Sequence, residues 1–341
     1  MAQINKPNQY FNTVLYTGTG SSQGITGVGF QPDWTWIKMR SGTGFHKLVD
    51  AVRGVTKEIY SNDASAEFAQ TQGLTAFGTD GFTLGTDANY NGNSSTFASW
   101  NWLGANGTAS NTDGSITSTV SANTTSGFSI VSWSGSGANA TIGHGLGAEP
   151  KMIFLKIRTG GNNWQVYNKS IGSGNALFLN TTDASSSNTS WQSTDATSSV
   201  FYVSGGGAVN GSGQDLIAYC FAEKKGYSKF GSYTGNGSTD GTFIYTGFKP
   251  AFFMYKSSSG AYNWIIQDNK RANSFNEINA DLRANLSDAE TTNTSYNDVD
   301  FLSNGIKLRE DNNDQNASGQ TYIYMAFAEE PLVGDNPATA R

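Results

Sequence analysis

Residues able to make or break bonds are few and scattered along this chain. It has two histidines, His46 and His144, and one cysteine, Cys220. A metal centre usually takes several His, Cys or carboxylate ligands at characteristic spacing, and neither histidine has such company. His144 lies in the glycine-rich "GHGLG". Cys220, inside the apolar run "IAYCF", reads as a buried thiol acting as a small hydrophobe. The stretch "GSSQG", Gly20 to Gly24, formally matches a nucleophile elbow. That motif works only on a strand-to-helix turn supplied with a histidine and an acid, and here it falls in a glycine-rich, β-type context. Acidic residues collect in "DANYNGN" (87–93), "DAETTNTSYNDVD" (288–300) and "REDNNDQNASGQ" (309–320). These read as solvated loops. Oxygen ligands from Asp311 and Asp314 are the nearest approach to a calcium loop, without EF-hand spacing. No carboxylate pair suits glycoside hydrolysis. The expectation is a protein without catalytic residues, metal or cofactor. Loop aromatics beside Asn and Asp suit a different task, since a ring can take the apolar face of a sugar while amides and carboxylates take its hydroxyls. Tyr90, Trp191 and Tyr296 are the candidates.

Three near-copies of one phrase supply the scaffold. "VGFQPDWTWIK", "GAEPKMIFLK" and "TGFKPAFFMYK" each place a lysine six residues after a proline: Pro32 and Lys38, Pro150 and Lys156, Pro250 and Lys256. A glycine pair precedes each, in "YTGTG", "WSGSG" and "YTGNG". Fourteen residues after the proline stand His46, Trp164 and Trp264. Each unit closes on an apolar run, "FASWNW", "LIAYCFAE" or "YIYMAFAE". The reading is an all-β chain of three tandem β-sandwich-like repeats of about 100 residues, bounded at 1–110, 111–226 and 227–341. Side chains alternate along a strand, so Trp34 and Trp36, Met152 and Phe154, and Phe252 and Met254 share one face with the lysine. Trp36, Phe154 and Met254 are expected at equivalent buried sites. The lysine is read as structural, its stem on the core and its head in water. Segment 106–126 reads as a linker whose "SITSTVSA" could pair as an edge strand, and 274–290 has some helical character.

Composition agrees with the pattern. Glycine supplies 41 of 341 residues and aromatics 13%, with only 14% charged. That is too aromatic for disorder and rich in turn residues, as a many-stranded β protein requires. Net charge is −6 without a basic cluster, which argues against nucleic-acid binding. No apolar run approaches eighteen residues and the first residues lack an apolar signal core, so neither membrane insertion nor a signal peptide is expected.

The run from "NQYFNTVLYTGTG" through "GVGFQPDWTWIKMRSGTGFHKLVDAVRG", with "DGFTLG" and "FASWNW", resembles a repeat domain of structural proteins in marine tailed bacteriophages. "GFSIVSWSGSGANATIGHGLGAEPKMIFLKIR" is similar to a second unit of such proteins, and the third repeat matches mainly at "YTGNG", "GFKP" and "NW". The resemblance implies a non-enzymatic virion component, made in the host cytoplasm and partnered by other virion proteins. A tail-fibre or spike part that contacts host surface glycan is the leading expectation. A capsid or tail decoration (cement) protein is the alternative, and a polysaccharide depolymerase comes third. Phage appendages are commonly trimeric, and the uncharged "SITSTVSA" invites pairing as an open edge. The expectation is therefore a homotrimer with contacts in residues 115–125.

Overall fold

Each proline-to-lysine run forms or enters a central strand, Trp34–Met39, Pro150–Ile157 or Phe248–Ser257. The computed structural model describes residues 3–271, 276–292, 296–334 and 337–338. The central strands pair antiparallel with the closing runs Thr96–Trp102, Asp215–Ala222 and Thr321–Pro331. These in turn pair with the opening strands Phe11–Thr17, Phe128–Ser134 and Ser228–Thr234. On its other side each central strand carries Lys47–Asp50, Gln165–Asn168 or Ile265–Asp268. A fifth strand follows, Lys57–Tyr60, Asn175–Phe178 or Leu282–Arg283. Three large sheets thus share one order: opening, closing, central, fourth, fifth. Each is accompanied by a small sheet of two or three strands, built on Gln23–Thr26, Ala140–Gly143 or Phe243–Tyr245.

Alternation of side chains sends the two faces of each large sheet to different places. One face meets the small sheet of its own unit. Ile37, then Ile153, Leu155 and Ile157, then Phe253 and Tyr255 lie in three separate clusters there. The opposite faces of all three sheets meet in one common cluster. It holds Trp34, Trp36, Trp100 and Trp102 with Met152, Phe154, Trp164, Tyr219 and Phe221, and with Phe252, Met254, Trp264, Met325 and Phe327. Ring contacts cross between units: Trp34 stacks on Tyr219 with centroids 4.2 Å apart, Phe11 on Phe327 at 5.0 Å, and Phe154 meets Trp264 edge-on at 6.5 Å. Each fully buried large apolar side chain contributes roughly 1.5–3 kcal/mol. The units therefore do not rest on their separate cores alone; the largest apolar cluster belongs to all three.

The seams between units repeat as a closed ring. The N–H of Glu67 donates to the Arg158 carbonyl (2.8 Å), that of Ser185 to Ser258 (2.8 Å) and that of Glu290 to Arg40 (2.9 Å). First unit to second, second to third and third to first use one contact. The ring nitrogen of Trp164 donates to the Tyr60 carbonyl and that of Trp264 to the Phe178 carbonyl. His46 takes the corresponding place and faces the Arg283 main chain. Trp36 donates to its Nδ1 at 2.8 Å, which fixes the proton of the neutral ring on Nε2. Burial holds His46 well below the usual histidine range.

Side chains at the seams break the symmetry. Asp50, Asn168 and Asp268 pair across the sheet with Trp34, Met152 and Phe252, so they occupy one register position. Asp50 binds Arg53, which reaches Glu67, and Glu67 holds Arg158. Asp268 binds Arg271, which reaches Glu290, and Glu290 holds Arg40. At the corresponding positions the third seam has Asn168, Ile171, Ser185 and Ser258, none of them charged.

Several expectations change. Lys38, Lys156 and Lys256 do not reach water; all three are fully buried. Each ammonium is spent on loop carbonyls. Lys38 donates to Met39 and Gly42, Lys156 to Ala64, Ile157 and Gly160, and Lys256 to Ser257 and Gly260. The lysine thus clamps the loop that leaves the central strand. Segment 106–126 is no bare linker. Ala109–Asn111 pairs with Ser118–Asn123, which pairs with Phe128–Ser134, adding a hairpin to the second sheet. Ala105 N–H also bonds Ser121 Oγ, and Asn123 bonds the Gly104 carbonyl. Ala109–Asn111 thus covers Ser118–Val120 of the segment named for trimer contacts and itself becomes the outermost strand of that sheet. Over 276–290 the described residues form the short strand Leu282–Arg283 and no helix; residues 274 and 275 lie outside the described part.

Candidate functional site

A groove with an exposed aromatic ring lies at one corner of the third unit. A cavity of about 380 Å³ is lined by Ala261, Tyr262, Asn263, Tyr296, Asn312, Asn313 and Asp314. Three loops meet here: the one leaving the central strand, the one entering Val299–Leu302, and the one between Gly305–Leu308 and Thr321–Pro331. The Lys256 clamp fixes the first loop. Gly260 must lack a side chain, because a Cβ there would run into the Tyr262 ring. Asp314 ties the first loop to the third. Its Oδ1 accepts the Asn263 N–H at 3.0 Å, while its own N–H donates to Asn312 Oδ1 at 2.9 Å. Asn285 donates to Asn263 Oδ1 and accepts the Trp264 N–H, both at 2.9 Å. Tyr322 donates to the Asn313 carbonyl at 2.8 Å.

The rings themselves remain available. Tyr296 is 40% exposed, with the Arg283 guanidinium 5.9 Å from its centroid. Burial, and then the neighbouring Asp314 carboxylate, raises the Tyr296 phenol above its ordinary value. Burial also brings the Lys256 ammonium down to about 7, against the pull of Asp314 and Asp183. The result is a firmly tied groove with two tyrosines, three asparagines and one carboxylate. Such a surface can stack on an apolar face and hydrogen-bond to a ring of hydroxyls.

Of the three sequence candidates, only Tyr296 belongs to it. Tyr90 is 1% exposed: it rides on the short helix Ala88–Asn91, capped by Asp87, and its hydroxyl donates to the buried Glu58. Trp191 is 1% exposed and packs edge-on against Tyr167 at 5.6 Å. Neither can meet a sugar without unfolding its surroundings. Tyr262 was not singled out from the sequence, although its place just before "NW" marks it as part of the clamped loop. At the corresponding corner of the second unit Asn162 takes the place of Tyr262 and donates to the Gly207 carbonyl at 2.9 Å.

Positions suggestive of catalysis are otherwise occupied. His144 accepts the Leu146 N–H on Nδ1 and places Nε2 3.2 Å from the Thr197 carbonyl, and burial brings its pKa down to about 4. Ser22, in the elbow-like stretch, donates to the Leu84 carbonyl, and a strand follows it. Burial pushes the Cys220 thiol upward. Among the described residues no group of three or more His, Cys, Asp or Glu could hold a metal ion. A larger cavity, about 790 Å³, lies between the N-terminal segment and the third unit, but its one ring, Phe11, is buried.

One set of repeated residues escaped the sequence reading. Asn91, Asn210 and Asn316 are fully buried. Their side-chain oxygens accept the N–H groups of Thr19, Ser136 and Asn236, the residues inside the glycine pairs. A Cβ on Gly18, Gly135 or Gly235 would strike the carbonyl oxygen of Gly92, Gly211 or Ala317. The second glycines, Gly20, Gly137 and Gly237, have φ of 71°, 74° and 64°. The signal was present in "NGNS", "NGSG" and "NASG", each shortly before a closing strand.

A family model described as "Domain of unknown function (DUF7483)" matches residues 6–331. The chain belongs to that family. No curated protein and no solved structure matches it. The DUF7483 match runs from the N-terminal segment to the end of the last closing strand, so it spans all three large sheets and the tyrosine groove.

Proposed function

We propose that this DUF7483 chain is a non-enzymatic structural component of a tailed-bacteriophage particle, a tail-fibre or spike part that contacts host surface glycan through the Tyr262–Tyr296 groove. The observation that carries the reading is the groove itself: one well-exposed and one part-exposed tyrosine, held by hydrogen-bonded loops, beside amides and a carboxylate. Support also comes from the body beneath it. A single aromatic core spanning three sheets gives a stiff mount, which spares the ordering cost of binding on mobile loops. The virion setting rests on the resemblance of the repeats to phage structural proteins. Immunogold labelling of particles of the encoding phage, with an antibody to this chain, tests the proposal. Label at the tail tip is the expected result. Label over the capsid would replace it with the decoration role, and absence of the chain from purified particles would overturn both.

A further inference from the structure

We infer that the groove selects uncharged or amino saccharides and rejects acidic ones such as uronates. This rests on the saccharide reading given above and concerns the same site. Among the described lining residues Asp314 carries the one charge, and none is Lys, Arg or His. The nearby cations are outweighed by acids. Arg283 lies over Tyr296 and faces Asp281 and Asp288, each at 3.8 Å, so two carboxylates flank the one guanidinium. Lys256 is buried with its head on the Ser257 and Gly260 carbonyls. The loop that supplies Asn312 and Asn313 also carries Glu310 and Asp311 just before them.

A sugar carboxylate would therefore approach the largely buried Asp314 carboxylate, and the one cation at the rim, Arg283, is already flanked by two acids. Like-charge contact of this kind is how a binding surface rejects a partner of otherwise suitable shape. A hydroxyl or acetamido group has the exposed Asn313 amide and the part-exposed Asn263 amide to bond with. An ammonium would find Asp314 together with the faces of tyrosine rings, an arrangement that favours cations.

Isothermal titration at low ionic strength with three tetrasaccharides decides it: one of N-acetylglucosamine, one of glucosamine and one of galacturonic acid. The first two should bind at least about tenfold more tightly than the third. Tyr296→Ala, a change at an exposed side chain, should abolish binding and so locate it in the groove. Asp314→Asn keeps an oxygen for the Asn263 N–H and should narrow the gap by improving the galacturonate. Equal or tighter binding of galacturonate would overturn the selectivity while leaving the saccharide reading in place. Failure of all three sugars to bind would overturn both.

Discussion

Replacing Arg53 by isoleucine should destabilise the protein by about 3–5 kcal/mol, the usual cost of stripping one partner from a buried ion pair. Arg53 and Asp50 are both fully enclosed and meet at 2.5 Å. Arg53 also donates to the Leu48 carbonyl and the Tyr219 hydroxyl. Without it, Asp50 keeps the Val52 and Arg53 main-chain N–H groups and the Tyr219 hydroxyl, but no positive charge. The chain contains its own neutral control. At the same register the second unit has Asn168 and Ile171, and Asn168 still accepts the Ser170 N–H at 2.9 Å. The double variant Asp50→Asn, Arg53→Ile copies that arrangement, and Glu67 retains Arg158. It should recover most of the loss and stand within about 1–2 kcal/mol of the parent, since neutral replacement of a buried pair is often tolerated. Urea unfolding followed by tryptophan fluorescence gives all three values. A single variant that loses less than about 1 kcal/mol, or a double variant no better than the single, would refute the reasoning.

Two further outcomes are expected. Burial lowers the ammonium pKa to about 8 in Lys38 and Lys156 and about 7 in Lys256. Between pH 7 and 9 the unfolded chain therefore binds more protons at these positions than the folded one. Stability should rise with pH across that window, and Lys256→Met should flatten the rise; a fall between pH 7 and 9 in urea titrations would contradict it. Trp36→Ala removes a ring from the common core and the donor that fixes His46. It should cost about 3–5 kcal/mol in the same assay, whereas a loss below about 1 would place that ring outside the core.

Strand parity was legible in the sequence because alternation is local. Trp34 and Trp36 on one side, and Ile37 on the other, follow from counting by twos. What those faces meet was not legible. Both sides of Met152–Ile157 are apolar, which is equally true of a strand in an isolated sandwich and of one wedged between its own small sheet and two neighbouring units. Contacts such as Phe154–Trp264, Trp34–Tyr219 and Phe11–Phe327 decide between them, and these join residues far apart in sequence. The lysines were placed on the right face but misjudged in depth, because the carbonyls they serve belong to a loop whose path spacing does not reveal. Tyr90 and Trp191 looked like loop aromatics because their neighbours are Asn, Ser and Thr. Those neighbours tie down turns while the ring goes inward. Tyr296 and Tyr262 come from loops more than thirty residues apart, so no short motif could join them.

The three-part ring is closed within one polypeptide, and this changes what a single mutation does. In a ring of three identical subunits every substitution appears three times, and a seam can be altered only if all three tolerate it. Here each seam has its own genetic text. The one between the second and third units could exchange Asp, Arg and Glu for Asn168, Ile171 and Ser185 while the other two kept their charges. The corners are free in the same way: one is bridged by an Asn162 hydrogen bond and another opens between tyrosines. A surface can then vary at one corner without its changes being copied into the other two.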